Sequence, residues 1–399
     1  MKLILRDKLL EALKGMRLTP DLKIITGIRR SGKSKLLAAY ADFLRSNDQL
    51  ANIIFVDFRL LENEPLKEYH ALHDFVSNRY QPGKNNYVMI DEVQLCPQFE
   101  LCINSLHATE QYDIYLTGSN AFMLSSDLAT LFTGRYIELS VFPFSYAEYL
   151  TYHGLTDVQA QLDEYVVDGG LSGSYLYPDR KQKKAYIRDV YNTILQRDLV
   201  EKYHLTDSEA LTRLVEYMMD NVSNISSPNA IAEGLTQSGI PSNNHTISRY
   251  LEYLTRAFVL YKVDRYDIRG RKYLSSLSKY YLVDSGIRYA VLGTRNMDYG
   301  RIYENLVAIE LKRRGYDIYV GKLYQKEIDF VAMRGDEKVY IQVSDDISGS
   351  ETFRREVTPL LQIKDAYPKL LIARTRHPQY DYQGIRVIDL ADWLNTPNS

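Results

Sequence analysis

The sequence predicts an α/β chain that opens with a doubly wound parallel sheet, and three observations carry that expectation. Residues 22–26 (LKIIT) read as a short buried strand, residues 27–34 (GIRRSGKS) fit G-x-x-x-x-G-K-[ST], and the stretch 35–45 sets Leu36, Leu37, Ala39, Tyr40, Phe43 and Leu44 at helical spacing. A second apolar strand, 87–92 (YVMIDE), ends in two carboxylates. Strand-like and helix-like stretches alternate through the first 141 residues, the pattern of a parallel sheet with helices on both faces.

The elements follow in chain order. Residues 4–16 carry Leu5, Leu9, Leu10, Leu13 and Met16 on one helical face, a leading amphipathic helix. In the Gly-rich loop, Gly27 and Gly32 allow a tight turn whose N–H groups aim inward at a helix N-terminus, an anion cradle. Gly27, Arg30, Ser31, Gly32, Lys33, Ser34 and Lys35 are the candidate ATP-binding residues. Lys33 is the point charge for the β- and γ-phosphates, and the Ser34 hydroxyl is a candidate Mg²⁺ ligand. Residues 51–58 (ANIIFVDF) form a second strand, 65–80 a helix, and Pro82-Gly83-Lys84-Asn85-Asn86 a turn.

At the tip of strand 87–92, Asp91 stands where the Mg²⁺ shell needs a carboxylate. Glu92 is the candidate general base for the attacking water, a role worth about 10²–10⁴-fold. A strand at 113–117 runs into Thr117-Gly118-Ser119-Asn120, which makes Asn120 or Ser119 a candidate γ-phosphate sensor. Arg135 precedes a fifth strand, 136–141, and is a candidate phosphate contact in its own or a neighbouring subunit, which leaves an oligomer open. No Asn-Lys-x-Asp run occurs, which argues against guanine specificity.

The 399 residues suit two or three domains, and the 45% hydrophobic content is ample for their cores. Lysine and arginine (49) nearly balance aspartate and glutamate (51), so any nucleic-acid partner needs a local basic patch. Cys96 and Cys102 make neither a metal spacing nor a disulfide framework, which fits a reducing, cytoplasmic setting. Arg6, Asp7 and Lys8 interrupt the N-terminal apolar stretch, and no apolar run approaches the ~18 residues of a membrane span. A cytoplasmic protein without membrane contact is expected. The 34 tyrosines, spread along the chain, read as packing residues.

The middle of the chain reads differently. Residues 143–152 lead out of the sheet, and 159–167 and 184–199 are helices with a basic cluster, Arg180, Lys181, Lys183 and Lys184, between them. Helices at 207–221 and 229–237 are followed by the turn Ser238-Gly239-Ile240-Pro241, and then by a helix at 242–256 that Ser242 is placed to cap. A strand at 258–266 and a basic tip, Arg269-Gly270-Arg271-Lys272, complete the helix–turn–helix and hairpin of a winged helix. Arg249, Arg256, Lys262, Arg265, Arg269, Arg271, Lys272 and Lys279 outnumber Glu252, Asp264 and Asp267 there. Two readings stay open: contact with double-stranded DNA, led by His245, Arg249 and the wing arginines, or packing and protein contact.

In the last third, a helix at 301–314 puts Glu304 on an inward face with Ala308 and Leu311. Strand-like stretches follow at 317–320, 327–332 (EIDFVA), 339–343 (VYIQV), 370–373 and 387–394. A helix Glu, a strand Asp and a neighbouring strand outline a metal-dependent nuclease. That chemistry needs Glu304 and Asp329 on a metal, an acidic residue on the next strand and a lysine two residues on. The last two places hold Gln342 and Ser344, and Glu327, on the same strand face as Asp329, compensates in part. The expectation is a nuclease-like outline that has lost the residues for cutting.

Nine segments together carry a family resemblance: GIRRSGKSKLL at 27–37, YVMIDEVQ at 87–94, YLTGSNAFML at 115–124, TGRYIEL at 133–139, VYNTILQRDLV at 190–200, TISRYLEYL at 246–254, KYYLVDSGI at 279–287, YENLVAIEL at 303–311 and EIDFVA at 327–332. The chain resembles prokaryotic AAA-type ATPases fused to a conserved C-terminal domain, in which a winged helix and a restriction-endonuclease-like fold follow the ATPase. The resemblance implies an AAA-type P-loop ATPase domain at 1–150, a helical and winged-helix region at 151–275, and an α/β restriction-endonuclease-like domain at 276–399. It implies ATP and Mg²⁺ as cofactors, with Gly32, Lys33 and Ser34 on ATP and Asp91 and Glu92 in the Walker B roles. The departure from the family pattern lies at Gln342 and Ser344, where the nuclease fold carries Glu and Lys.

Overall fold

The structure is a computed structural model that describes residues 6–118, 132, 134–294 and 298–396. It divides into two compact units, Met1–Phe142 and Pro143–Ser399.

In the first unit, α1 (Asp7–Gly15), β1 (Leu22–Thr26), α2 (Lys33–Asn47), β2 (Ala51–Asp57), α3 (Tyr69–Ser77), β3 (Asn85–Asp91), α4 (Phe99–Ala108), β4 (Tyr112–Thr117) and β5 (Tyr136–Ser140) alternate as the sequence implies. The strands make one sheet in the order β2-β3-β4-β1-β5, and every pairing is parallel. Successive side chains of a strand face opposite ways, so each strand feeds two cores. Ile24, Val88, Ile90, Ile114 and Leu116 pack with Leu72, Val76, Ile103 and Leu106 of α3 and α4. Ile25, Tyr87, Met89 and Tyr115 pack with Leu10, Leu13, Leu37, Tyr40 and Leu44 of α1 and α2 on the other face.

The helix expected at 65–80 is shorter. Residues Leu61–Lys67 form a 3₁₀ segment, and α3 starts only after Glu68, whose carboxylate accepts from the N–H groups of His70 and Ala71 and fixes the helix start there. The packing role expected of the tyrosines holds for Tyr40, Tyr87 and Tyr115, which are fully buried. Their hydroxyls are paired: Tyr40 with Tyr115 at 3.1 Å, Tyr115 to Asp113 at 3.0 Å, and Tyr87 to Asp48 at 2.7 Å. Lys23, in β1 itself, is buried and donates to Asp113 at 2.6 Å.

The second unit begins with α5 (Tyr146–His153), α6 (Leu162–Asp168) and α7 (Arg180–Thr193), the last continuing as a π-helical segment, Ile194–Glu201. Then come α8 (Ser208–Asp220), α9 (Pro228–Gln237), α10 (Asn244–Arg256) and the hairpin β6 (Leu260–Asp267) and β7 (Lys272–Leu282). Asn243, not Ser242, caps α10, its side chain accepting from the Thr246 N–H at 2.9 Å; one residue of offset puts Asn243 in the extended conformation a cap requires. After α11 (Ser285–Leu292) and α12 (Tyr299–Arg313) come β8 (Asp317–Leu323), β9 (Lys326–Arg334), β10 (Glu337–Ser344), α13 (Ser350–Leu361), β11 (Lys369–Ala373), β12 (Tyr380–Tyr382), β13 (Ile385–Asp389) and α14 (Leu390–Asn395).

These strands form one eight-stranded mixed sheet in the order β12-β13-β11-β10-β9-β8-β6-β7. The hairpin is part of that sheet, because β6 pairs in parallel with β8 from Arg265↔Val320 to Asp267↔Lys322. The expected boundary at 275/276 therefore falls inside β7. On one face α13 presents Val357 and Leu360 to Tyr266, Ile328, Val331, Tyr340, Leu371 and Val387. No helix among the described residues is long and apolar enough to cross a membrane. Cys96 and Cys102 are free and buried, and burial raises the thiols to about 11 and about 12.

Candidate functional site

The loop between β1 and α2 has the backbone its glycines promise. Gly27 sits at φ +136° and Gly32 at φ +102°, and a Cβ on Gly27 would lie 2.1 Å from the Val141 carbonyl oxygen. Arg30 also takes a positive φ, 68°, at an exposed position. Lys33 is the first residue of α2 and is buried. Its ammonium donates back to the carbonyls of Gly27 at 2.7 Å and Ile28 at 3.1 Å, so the loop curls round its own lysine. Lys35 points to solvent from the first turn of α2. Arg6, read from the sequence only as a break in the apolar N-terminal stretch, ties the cradle to the segment after β5 by donating to the carbonyls of Ser31 at 3.2 Å and Phe142 at 2.8 Å.

Parallel register brings the strand tips to one crevice, the usual ligand position in such sheets. Ser34 Oγ donates to Asp91 Oδ1 at 3.0 Å. Thr117, at the end of β4, donates its hydroxyl to the same oxygen. It also accepts the Glu92 N–H at 3.1 Å. Glu92 holds a left-handed backbone, φ 58° and ψ 47°, a strained conformation of the kind that collects at functional sites. The Gln94 amide donates to its carboxylate. Burial raises the pKa of Asp91 above the ordinary carboxylate value, partly offset by Thr117, Ser34 and Arg59.

Among the described residues, the buried Ser31 Oγ and Asp91 Oδ2 have no hydrogen-bond partner. Arg59 Nη2 stands 2.7 Å from Asp91 Oδ2, an ion-pair distance without hydrogen-bond alignment. A serine hydroxyl and an aspartate are hard oxygen donors, and Mg²⁺ is typically held by one or two carboxylates with water and substrate phosphates. The residues present thus fit a Mg²⁺–nucleotide ligand, with Ser34 and Asp91 on the metal side and the N–H groups and lysine of the loop on the phosphate side.

The remaining expected contributors are Asn120, Ser119 and Arg135. Asn120 and Ser119 lie outside the described residues. Arg135 precedes β5, and the pairing Leu22↔Tyr136 to Thr26↔Ser140 puts it at the edge of the sheet opposite the cradle. Five strand residues at about 3.3 Å each separate the two edges, so Arg135 does not reach phosphates in its own loop.

The nuclease-like residues do converge, but around a lysine. Lys279 is 3% exposed. Its ammonium lies 2.8 Å from Glu304, 2.7 Å from Glu327 and 3.8 Å from Asp329, and the Tyr281 hydroxyl donates to Glu304 at 2.6 Å. Asp329 also accepts the Val343 N–H at 2.8 Å. Gln342 accepts the Asp329 N–H at 3.4 Å and donates to Glu356 at 3.0 Å, and Ser344 donates to the Asp346 carbonyl. Burial opposes the charge on Lys279, yet the three carboxylates outweigh it and raise its pKa. Burial raises Glu304, with Lys279 acting against the rise. Among the described residues no group of three or more His, Cys, Asp or Glu is arranged to hold a metal ion. Lys279, counted with the basic residues of 249–279, is thus an internal counter-ion. Arg256 and Lys262 are likewise paired, with Glu252 at 2.7 Å and Asp264 at 2.8 Å.

A family model described as an AAA domain matches residues 19–150. An uncharacterized protein of Haemophilus influenzae is 36% identical over 399 residues, covering 98% of each chain. The chain belongs to the family of that Haemophilus protein. Its N-terminal region is AAA-type and ATP-binding. A protein of Methanocaldococcus jannaschii is 26% identical over 393 residues, 94% of this chain and 86% of that one. A model described as a domain of unknown function covers residues 159–298. Among solved structures, a Walker-type ATPase of Pyrococcus abyssi aligns with 72% of this chain and 95% of its own, at 16% identity and a TM-score of 0.41.

Proposed function

We infer that the chain is a Mg²⁺-dependent ATPase that uses ATP binding and hydrolysis to reposition its C-terminal region, whose partner is DNA or a protein. The observation that carries this reading is the constellation at the strand tips: Lys33 in the loop, Ser34 and Thr117 both on Asp91, and Glu92 held through its N–H by Thr117. On nucleotide binding, Lys33 exchanges the Gly27 and Ile28 carbonyls for β- and γ-phosphate oxygens. Mg²⁺, when bound, supplies charge neutralisation between the phosphates. Glu92 accepts a proton from the water that attacks the γ-phosphorus, as the bond to the β-phosphate bridging oxygen breaks. Residues 151–275 and 276–399 are read as winged-helix and endonuclease-like regions, the latter without cutting activity because Lys279 fills the carboxylate cluster. Asn120 as a sensor and Arg135 as a contact to a neighbouring subunit belong to the same proposal, and the cellular setting proposed is the cytoplasm.

The test is nucleotide binding and turnover in two variants. Lys33→Ala is expected to abolish ATP binding, and Glu92→Gln to keep binding and lose hydrolysis. Unchanged hydrolysis in Glu92→Gln would remove Glu92 as the base. A second reading, an ATP-gated DNA-binding regulator with little turnover, draws on the exposed His245, Arg249, Arg271 and Lys272. Duplex titrations at two salt concentrations separate the two, since phosphate contacts give affinity that falls with salt; no binding at low salt ends the DNA reading. Plasmid incubated with Mg²⁺ or Mn²⁺ is expected to stay intact.

A further inference from the structure

Arg59 lies just beyond β2, whose register sets Asp57 level with Asp91 of β3. Its guanidinium forks onto Asp57, with Nε 2.9 Å from Oδ1 and Nη2 2.7 Å from Oδ2, and its own N–H donates to Asp57 Oδ1 at 2.9 Å. The same Nη2 lies 2.7 Å from Asp91 Oδ2. Ser34 and Thr117 both occupy Oδ1, so the guanidinium stands at the one carboxylate oxygen they leave. Asp91 is buried, whereas the Arg59 side chain is 51% exposed. The arginine therefore has a path to water that the carboxylate lacks.

We propose that Arg59 is a guard on the Mg²⁺ position: it neutralises Asp91 while no Mg²⁺–nucleotide is present, and yields Asp91 Oδ2 when the ion enters, staying tethered to Asp57. The proposal rests on the ATPase reading. An ion on Asp91 Oδ2 would need the position that Arg59 Nη2 occupies 2.7 Å from that oxygen, so the ion binds only the fraction of molecules in which Arg59 has moved aside. Apparent affinity falls by that fraction. If the pair is formed about 80–90% of the time, removing the guanidinium lowers the half-saturating Mg²⁺ concentration about five- to tenfold.

The experiment is a Mg²⁺ titration of fluorescent ATP-analogue binding to the full chain, for wild type, Arg59→Gln and Arg59→Lys, with a parallel measurement in EDTA. Arg59→Gln is expected to shift the Mg²⁺ midpoint down about five- to tenfold and to change affinity in EDTA less than about threefold. Arg59→Lys keeps the charge without the fork and falls between. An unchanged or raised midpoint in Arg59→Gln overturns the proposal. So does a loss of more than about tenfold in EDTA, which would place Arg59 on the nucleotide itself. A wild type that shows no Mg²⁺-dependent binding defeats the ATPase reading instead, so the two failures are distinguishable. The melting temperature without ligand reports on folding of the variants.

Discussion

Replacing Lys279 by Met tests the internal counter-ion directly. Met keeps most of the volume and removes the charge, leaving Glu304, Glu327 and Asp329 without the cation they share at 2.8, 2.7 and 3.8 Å. Breaking a buried ion pair by removing one partner costs about 3–5 kcal/mol. The lower end is expected at acidic pH, because carboxylates already raised by burial take up protons once the ammonium is gone. The folded variant then binds more protons than its unfolded chain, so its stability rises as pH falls. Trp393 is the only tryptophan, and it is buried in the second unit under Arg314. Its fluorescence therefore follows unfolding of that unit in urea. With an m-value near about 3 kcal/mol/M, the midpoint at pH 7.5 should drop by about 1.0–1.7 M, and by less at pH 5.5. Adding Glu304→Gln should recover part of the loss. A drop below about 0.3 M, or a loss independent of pH, would refute the counter-ion assignment.

Three further outcomes follow from the geometry. Gly27→Ala places a Cβ 2.1 Å from the Val141 carbonyl oxygen at φ +136°, so nucleotide binding should fall at least about tenfold by equilibrium titration while Trp393 unfolding stays as in wild type. Thr117→Val keeps the shape but removes the hydroxyl that links Asp91 to the Glu92 N–H; turnover should fall about tenfold or more in a phosphate-release assay, with stability of the first unit reduced by about 1–3 kcal/mol. Asp284 accepts from the Gly170 and Gly286 N–H groups, and burial raises it from 3.8 to about 6. Its folded form holds the proton more tightly than the unfolded chain, so its contribution is greatest below pH 4 and is lost as pH rises through 6. The wild-type advantage over Asp284→Asn, from urea midpoints, should shrink by about 2–3 kcal/mol across that window.

The sequence was most informative where structure is local. The loop of residues 27–34 and the strand ending in Asp91-Glu92 are runs of neighbours, and strand, turn and helix propensities place them without knowledge of the rest of the chain. The two-faced sheet was legible for the same reason, since alternation along each strand shows which side chains feed which core. Helix starts were less legible: Glu68 and Asn243 took cap positions that other residues nearby could fill equally well by type. The hairpin at 260–282 read as a separate wing because the sequence shows two strands and a tip. Its pairing with β8, more than fifty residues away by number, is invisible at that range.

By itself, then, the sequence determined a phosphate-binding loop, two adjacent carboxylates and the parallel sheet that carries them, all set by local pattern. Tertiary structure alone decided the company these groups keep. Register across β2, β3 and β4 puts Arg59 and Thr117 on Asp91, and the even pairing of β5 with β1 leaves Arg135 at the far edge. Packing of β7 against α12, with the β9 side chains Glu327 and Asp329 in reach, turns Lys279 from an apparent surface cation into the charge shared by two buried carboxylates and a partly exposed one. The physical reason is common to all of them: ion pairs and hydrogen bonds depend on ångström distances between distant parts of the chain, and only a folded register supplies those.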